Sequence, residues 1–409
     1  MKILYVLHDF FPRFYGGTER YVLNLSKQMQ RMGHSVTVLT YGIEDPPEIF
    51  PASMDDILYK SYDYEGIPVI SIRHKLIPGD IGFMIDDERI EYAITKIIET
   101  KVFDVMHIAH PMRMACCYKA AHKLNIPVVL TLTDFWLLCP RGRFYKPDYS
   151  LCNSPDSGEK CITECGVNSS ITERYKDAKK LFEEVDVLIS PSRFLIGCYK
   201  FNGWTRNISH INHGVDYKYV KPLAPVDKER DIISFGYTGV VARFKGVDVL
   251  VNAFREVNSP GIALKIYGNC IWEPAFSQEL AAAVEEDKRI RLMGKYDHSE
   301  LPCVMSEIDI TIVPSTTLES YGLVVVESMA YGVPVIASDI VGSACEFIEH
   351  GKNGMVFSVQ KPSELTDIIK QISDQPSIIE TLKSNISPPP RLEEEAFMVE
   401  SIYKRLPTL

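Results

Sequence analysis

Glu319 and Glu327 stand either side of Gly322 in residues 314–332, PSTTLESYGLVVVESMAYG, where a loop gives way to a helical pattern. Residues 310–313 read as a strand that ends at Pro314, and a polar loop comes after it. Gly322 permits a tight turn, and residues 323–331 read as a helix stopped by Gly332 and Pro334. Backbone N–H groups of Tyr321, Gly322 and Leu323 therefore gather at the positive end of a helix dipole, an arrangement that takes a diphosphate. Glu319 stands beside those phosphates. Glu327, one turn into the helix, offers an acceptor-only carboxylate to paired hydroxyls such as those of a ribose. The two carboxylates address opposite ends of one ligand, a sugar nucleotide.

Such a site needs rigid elements behind it. Residues 1–7, 35–40, 102–108, 127–132 and 185–189 are short apolar runs rich in Val and Ile, the signature of strands buried on both faces. Between the first two, Val22, Leu25, Met29 and Met32 line one face of a helix, with Thr18 as its expected N-cap and Gly33 at its stop. The alternation restarts with a strand at 232–238, a helix at 247–257, strands at 263–267 and 290–293, a helix at 298–306 and a strand at 308–313. This pattern predicts two doubly wound α/β halves, with ligand expected in the cleft they face. The expected divisions are an acceptor-binding domain at 1–213, a donor-binding domain at 214–388 and a terminal helix at 389–409. His213-Gly214-Val215-Asp216 and the Pro-containing residues 221–231 read as the hinge. Leu392, Phe397, Val399, Ile402 and Tyr403 form the apolar set of the terminal helix.

Composition narrows the class. A chain of 409 residues with 46% hydrophobic and 24% charged residues is large enough for two cores and too apolar for large-scale disorder. A net charge of −10 argues against a nucleic-acid partner. The opening MKILYVL is too short for a signal peptide or a membrane span, so a cytoplasmic setting is expected and the sequons at Asn168 and Asn207 carry no glycosylation meaning. Gly16-Gly17, between the first strand and the first helix, lets backbone approach a phosphate or sugar closely. No G-x-G-x-x-G or Walker A pattern occurs, so nicotinamide and ATP sites have no direct support. His107 and His110 end a strand, either as core histidines or as acceptor contacts.

The two-glutamate stretch, followed by Gly332-Val333-Pro334-Val335, resembles the donor-site motif of retaining glycosyltransferases of family 4, which include glycogen synthase and sucrose synthase types. The resemblance covers nearly all of the chain and implies two Rossmann-like domains of the GT-B plan, with the terminal helix crossing back to the first domain. It implies donor contacts from Gly16 and Gly17, which precede Thr18-Glu19, and from Lys245 within GVVARFKGVD, where Lys245 neutralises the diphosphate. Arg243 is a second phosphate clamp, standing in for the arginine that relatives carry at the position of Val240. Lys295 and Tyr296, in Gly294-Lys295-Tyr296-Asp297, match the segment that packs on the nucleobase. Residues 340–354 match the end of the donor domain. Relatives place a histidine where this chain has Thr133, a residue that hydrogen-bonds a sugar hydroxyl without carrying charge. Asp134 remains as a base or acceptor-orienting carboxylate, or else as a helix N-cap. With Thr133 and His110 at the acceptor, the implied catalytic set is Glu319, Asp134 and Lys245.

The expected reaction is hexosyl transfer from a UDP- or GDP-sugar to a glycan or lipid-linked acceptor, with retention, in envelope or capsular polysaccharide synthesis. No metal or other cofactor is expected for catalysis, and the absence of an Asp-x-Asp triplet agrees. A non-catalytic sugar-nucleotide binder, and an epimerase or hydrolase on the same fold, are the alternatives. A lipid acceptor implies peripheral contact with the inner membrane face, although the basic residues at 174–180 are interleaved with acids and read as a solvated helix.

Ten cysteines without an export signal are expected as reduced thiols. Four of them, Cys139, Cys152, Cys161 and Cys165, fall in one loop poor in apolar residues, where a structural metal site would supply order. No Cys-x2-Cys pair is present, so free or disulfide-linked cysteines stand beside that reading. Cys116 and Cys117 read as helix core.

Overall fold

The computed structural model describes residues 1–14, 16–217, 232–270 and 274–407. Part of the expected hinge, residues 221–231, lies outside the described residues. The chain divides into two units, one made of Met1–Lys146, Cys152–Gly214 and Leu392–Leu409, the other of Pro147–Leu151 and Val215–Arg391.

The first unit is built on nine strands: β1 (Lys2–Leu7), β2 (Ser35–Tyr41), β3 (Ala52–Met54), β4 (Ile57–Tyr64), β5 (Ile67–His74), β6 (Val105–Ile108), β7 (Val128–Thr131), β8 (Val187–Ser190) and β9 (Ser209–His210). They lie in the order β3-β4-β5-β2-β1-β6-β7-β8-β9. From β5 to β9 every pairing is parallel, while β3 and β4 add an antiparallel edge. β1 is buried from Ile3 to Leu7, as a central strand covered by helices on both faces must be. The first helix, Gly17–Arg31, buries Tyr21, Val22, Leu25 and Met29. It begins at Gly17 with Gly16 as its N-cap and no side-chain cap, so Thr18 sits inside the first turn and is not the cap the sequence predicts. Gly33 has φ of +86°, the left-handed residue that stops the helix.

The terminal helix, Leu392–Tyr403, belongs to this first unit. Its buried Glu395 accepts hydrogen bonds from His213 Nδ1 and Gly214 N, both at 2.8 Å. Ala396, Val399, Ile402 and Tyr403 join the core of β1 and the first helix. Phe397, expected on the apolar face, instead faces outward with 64% of its surface exposed, because it lies about 100° around the helix from Ala396. A second correction concerns Arg174. The helix Ile171–Glu184 does carry exposed charges, yet Arg174 is buried at 7% exposure, its guanidinium spent on the carbonyls of Phe83, Trp136 and Leu137.

Among its described residues the second unit has six strands, β10 (Ile233–Thr238), β11 (Ile262–Tyr267), β12 (Ile290–Gly294), β13 (Ile310–Val313), β14 (Val335–Ser338) and β15 (Gly354–Phe357). All are parallel, in the order β12-β11-β10-β13-β14-β15. Counted within the unit, this is the doubly wound order third, second, first, fourth, fifth, sixth. Phe235, Leu264, Ile310, Ile312 and Ile336 form the sheet's part of the core. Among the described residues no helix is long and apolar enough to cross a membrane.

Candidate functional site

In an open doubly wound sheet, two neighbouring strands whose connections leave in opposite directions open a crevice at their C-terminal ends. In the second unit those strands are β10 and β13. The loop after β10 carries a short 3-10 turn, Arg243–Lys245, closed by Gly246. The loop after β13 runs through Ser315 and Glu319 to Gly322. Backbone ties the two loops together, since Thr316 N donates to Phe244 O at 3.1 Å and the Thr316 hydroxyl to Arg243 O at 3.2 Å. Gly246 has φ of +69°, and a Cβ there would stand 1.9 Å from Pro314 O. Only glycine allows this approach.

That junction places Lys245 Nζ 2.7 Å from Glu319 Oε1. The Ser315 hydroxyl donates to the same oxygen. The Glu319 backbone is pinned on both sides, its N–H to Ile340 O and its carbonyl to Gly342 N, each at 3.0 Å. Gly322, at φ of +91°, is the N-cap of the helix Leu323–Ala330. A Cβ on Gly322 would meet Val341 Cγ1 at 2.6 Å, and Ser343 holds the turn by donating its N–H to Tyr321 O and its hydroxyl to Gly322 O. The first-turn N–H groups of that helix therefore open next to Glu319. The Tyr321 ring is buried among Val215, Tyr217, Val326 and Ala330, and its backbone carbonyl serves the turn.

One turn on, Glu327 Oε1 lies 3.1 Å from His298 Nε2. Tyr296, half-buried at the end of β12, has its hydroxyl pushed up to about 12, by burial first and by the Glu327 charge second. Lys295 beside it is exposed. Arg243 points elsewhere. Its guanidinium pairs with Glu279 and with Asp248 at 3.7 Å and lies 4.7 Å over the Phe276 ring, held toward the helix Pro274–Glu285. The structure thus brings Lys245, Glu319 and the Gly322 turn together and turns the Arg243 side chain to a different set of partners.

The first unit has its own switch point, between β1 and β6. His8 and Asp9 leave β1, His110 follows β6, and the first helix supplies Glu19. His8 Nε2 lies 3.7 Å from Asp9 Oδ2 and 3.6 Å from Glu19 Oε1, and the His8 and His110 rings stand 4.2 Å apart. Gly16 makes room for this, because a Cβ there would sit 2.7 Å from Glu19 Oε2. Met112 N donates to His110 Nδ1 at 3.2 Å, which leaves the proton on Nε2, 3.1 Å from Asp134 Oδ2. Asp134 Oδ1 accepts from Trp136 N at 2.8 Å, capping a turn and not a helix. Thr133 donates its hydroxyl to Ala109 O at 3.0 Å. His107, by contrast, is core. It is fully buried between Thr131 and Tyr403 and is pushed down to about 3 by burial.

Sequence reasoning did not assign His8, Asp9, Glu19 or Arg113 to this cluster. The available signal was position, since His8-Asp9 stands at the C-terminal end of the first strand of a doubly wound sheet. Arg113 Nη1 contacts Asp9 Oδ1 at 2.7 Å. The ligand atoms of His8, Asp9 and Glu19 lie within 4.8 Å of one another, but the Arg113 guanidinium already places a positive charge on Asp9, which opposes a cation there.

Burial raises the Glu19 carboxyl from 4.5 to about 7 and the Asp9 carboxyl to about 6. A carboxyl that keeps its proton in the fold destabilises the fold as soon as the unfolded chain ionises. For Glu19 that loss begins near pH 4.5 and is complete above about pH 7, where it reaches on the order of 3 kcal/mol. Glu19→Gln is therefore expected to melt at the same temperature as the parent at pH 4.5 and several degrees higher at pH 8. Equal melting temperatures at both pH values would show that Glu19 is ionised in the fold.

The glycosyltransferase family 4 model matches residues 15–219, half of the chain, and the model for glycosyl transferases group 1 matches residues 223–387. An uncharacterized glycosyltransferase of Methanocaldococcus jannaschii is 24% identical over 394 residues, 94% of this chain and 92% of that protein. An uncharacterized protein of the cps region of Klebsiella pneumoniae is 24% identical over 281 residues, 68% of this chain and 71% of that one. Among solved structures, the Anabaena protein HepE with UDP and glucose superposes with a TM-score of 0.72 at 18% identity, over 99% of this chain and all of that one. The two doubly wound sheets thus share their fold with a protein solved with UDP and glucose, and on the match to its first half the chain belongs to glycosyltransferase family 4, as an enzyme of that class.

Proposed function

We propose that this enzyme transfers a hexosyl group from a nucleoside diphosphate sugar to a glycan or lipid-linked acceptor, with retention and without a metal ion. The observation that carries the reading is the pairing of Lys245 with Glu319 at 2.7 Å beside the helix turn at Gly322. A lysine point charge and first-turn N–H groups are complementary to a departing diphosphate, whose negative charge grows as the glycosidic bond breaks. Glu319, held by Ser315, Ile340 and Gly342, is placed to bind donor sugar hydroxyls, and Glu327 to accept from the ribose. Gly16 and Gly17 serve the donor, and Lys295 and Tyr296 line the base. Arg243 adds a second phosphate contact only by leaving Glu279. In the first unit, His110 and Asp134 handle the acceptor, with Asp134 taking its proton and Thr133 contributing through its backbone. A capsular or envelope polysaccharide is the favoured product class, in keeping with the cps-region relative. The setting that goes with it is the cytoplasmic side of the membrane.

Thermal shift and calorimetric titration with UDP, GDP and ADP test the donor half of this reading. One nucleotide is expected to stabilise the protein, and Glu327→Ala to weaken its binding about 10- to 100-fold, the worth of hydrogen bonds to one charged group. No response to any of the three would overturn it. Proton NMR of the first product formed tests retention, and an inverted anomer would sink that part.

A further inference from the structure

We propose that Cys139, Cys152, Cys161 and Cys165, all in the first unit, bind one zinc ion as a structural tetrathiolate site that orders the chain around them. The inference stands apart from the donor chemistry above. All four thiols are free, and each lies within electrostatic reach of the other three. Three separate local structures produce that convergence. Cys139 closes a turn after β7, its N–H donating to Phe135 O and its carbonyl accepting from Gly142 N, each at 2.7 Å. Cys152 is returned toward it by a hydrogen bond from its N–H to Phe144 O at 2.8 Å, with the Phe144 ring against Phe135. Cys161 and Cys165 sit one turn apart on the helix Glu159–Cys165, hence on one face.

The surroundings point to a negative group at the centre. Arg174, 7% exposed, neighbours Cys139 and Cys161, and all its hydrogen bonds among the described residues go to backbone carbonyls, none to a carboxylate. Its guanidinium lies 4.3 Å over the Trp136 ring. Arg141 lies close to Cys165, while Lys146 on the same side is already paired with Glu164 at 2.9 Å. Zinc held by four thiolates carries a net double negative charge, which adds to the one carboxylate that acts on this buried cation, Asp134. The loop carries little regular secondary structure. Between β7 and the helix Ile171–Glu184 stand one short turn, Asp156–Gly158, and the seven-residue helix. Phe144, Asp156 and Ser157 nevertheless hold positive φ, a conformation that persists only where the surroundings enforce it.

Tetrahedral zinc with bonds of about 2.3 Å sets its sulfurs about 3.8 Å apart. The thiols stand more open than that, no three of them within 4.8 Å of one another, so uptake of the ion requires the set to close, by change of staggered rotamer, as the thiols release their protons.

The test is elemental analysis of the full-length protein purified under reducing conditions without chelator, followed by uptake of Co2+ after zinc removal. About one zinc per chain and the intense visible bands of a tetrahedral cobalt tetrathiolate are expected. Cys161→Ser with Cys165→Ser should lower zinc more than about tenfold, whereas Cys303→Ser, at an exposed site, should keep it. Should the double variant fail to fold, Cys165→His, which keeps four ligands, should retain zinc and shift the cobalt spectrum. Neither zinc nor cobalt bound by the reduced parent protein, a disulfide among the four, or iron with acid-labile sulfide in place of zinc would each overturn the assignment.

Discussion

Lys245→Ala is expected to lower kcat by about two to three orders of magnitude while changing KM for the donor far less, the pattern of an interaction gained mainly in the transition state. The reason lies in what Lys245 faces before and during reaction. In the free protein its ammonium is satisfied by Glu319 at 2.7 Å, so it holds one negative partner already. On the proposed mechanism the diphosphate gains charge beside it as the sugar leaves, and the contact would strengthen without any new group having to be ordered. Lys245→Arg tests geometry as distinct from charge, because a planar fork does not place its charge where an ammonium stood. A partial recovery with arginine and none with methionine fits the electrostatic role. A rise in KM with kcat unchanged would mean that Lys245 only holds the ground state, and the leaving-group role would fall.

The sequence carried β1, β2, β6, β7, β8 and β10 to β13 because their signal is local, and it left the parallel strands β5, β9, β14 and β15 unread. Ile3 to Leu7 and Ile310 to Val313 are buried on both faces, and nothing but a covered sheet accommodates that. The edge hairpin of β3 and β4 was not legible for the same reason reversed. From Leu58 to Tyr64 no residue is fully buried, and Lys60, Ser61 and Asp63 interrupt the apolar residues that would announce a strand. Helix faces were read to within a residue or two, which is enough to find the Gly322 turn but not enough to keep Phe397 inward or Arg174 outward.

Site residues divide along the same line. Glu319, Gly322 and Glu327 share one loop and one helix, so spacing alone sets their relation. Arg243 depends on Glu279 and Phe276, some thirty residues along the chain, and proximity to Lys245 in sequence says nothing of that. The His8, Asp9, Glu19 and His110 cluster is assembled from three elements, and its polar residues carry no periodicity to betray them. A switch point inferred from strand order is what makes such a cluster predictable, which requires the topology first. Thr133 shows the complementary case. Its departure from the usual histidine was visible at once, yet only the structure shows its hydroxyl committed to Ala109 O and the neighbouring imidazole supplied by His110.

Gly246→Ala is expected to be among the most damaging single-methyl changes in the second unit, and one that acts on the candidate site. Two costs combine there. Holding a residue with a Cβ at φ of +69° costs about 1–2 kcal/mol, and the new methyl would stand 1.9 Å from Pro314 O, a backbone atom that cannot swing aside. Relieving the collision separates the 3-10 turn from the loop after β13, and with it Lys245 from Glu319. A displacement of about 1 Å in such a pair is enough to cost on the order of a hundredfold in turnover. Gly33→Ala provides the comparison, because φ is +86° there but nothing lies within 4 Å of the added carbon. It should lose the strain energy alone, a fall of a few degrees in Tm, and keep full turnover. Measured side by side, a Gly246→Ala protein that melts no lower than Gly33→Ala and turns over normally would show that the approach of the two loops is dispensable to both fold and chemistry. A variant that stays folded and binds nucleotide, yet transfers sugar a hundredfold more slowly, would place the function of this glycine in holding Lys245 against Glu319.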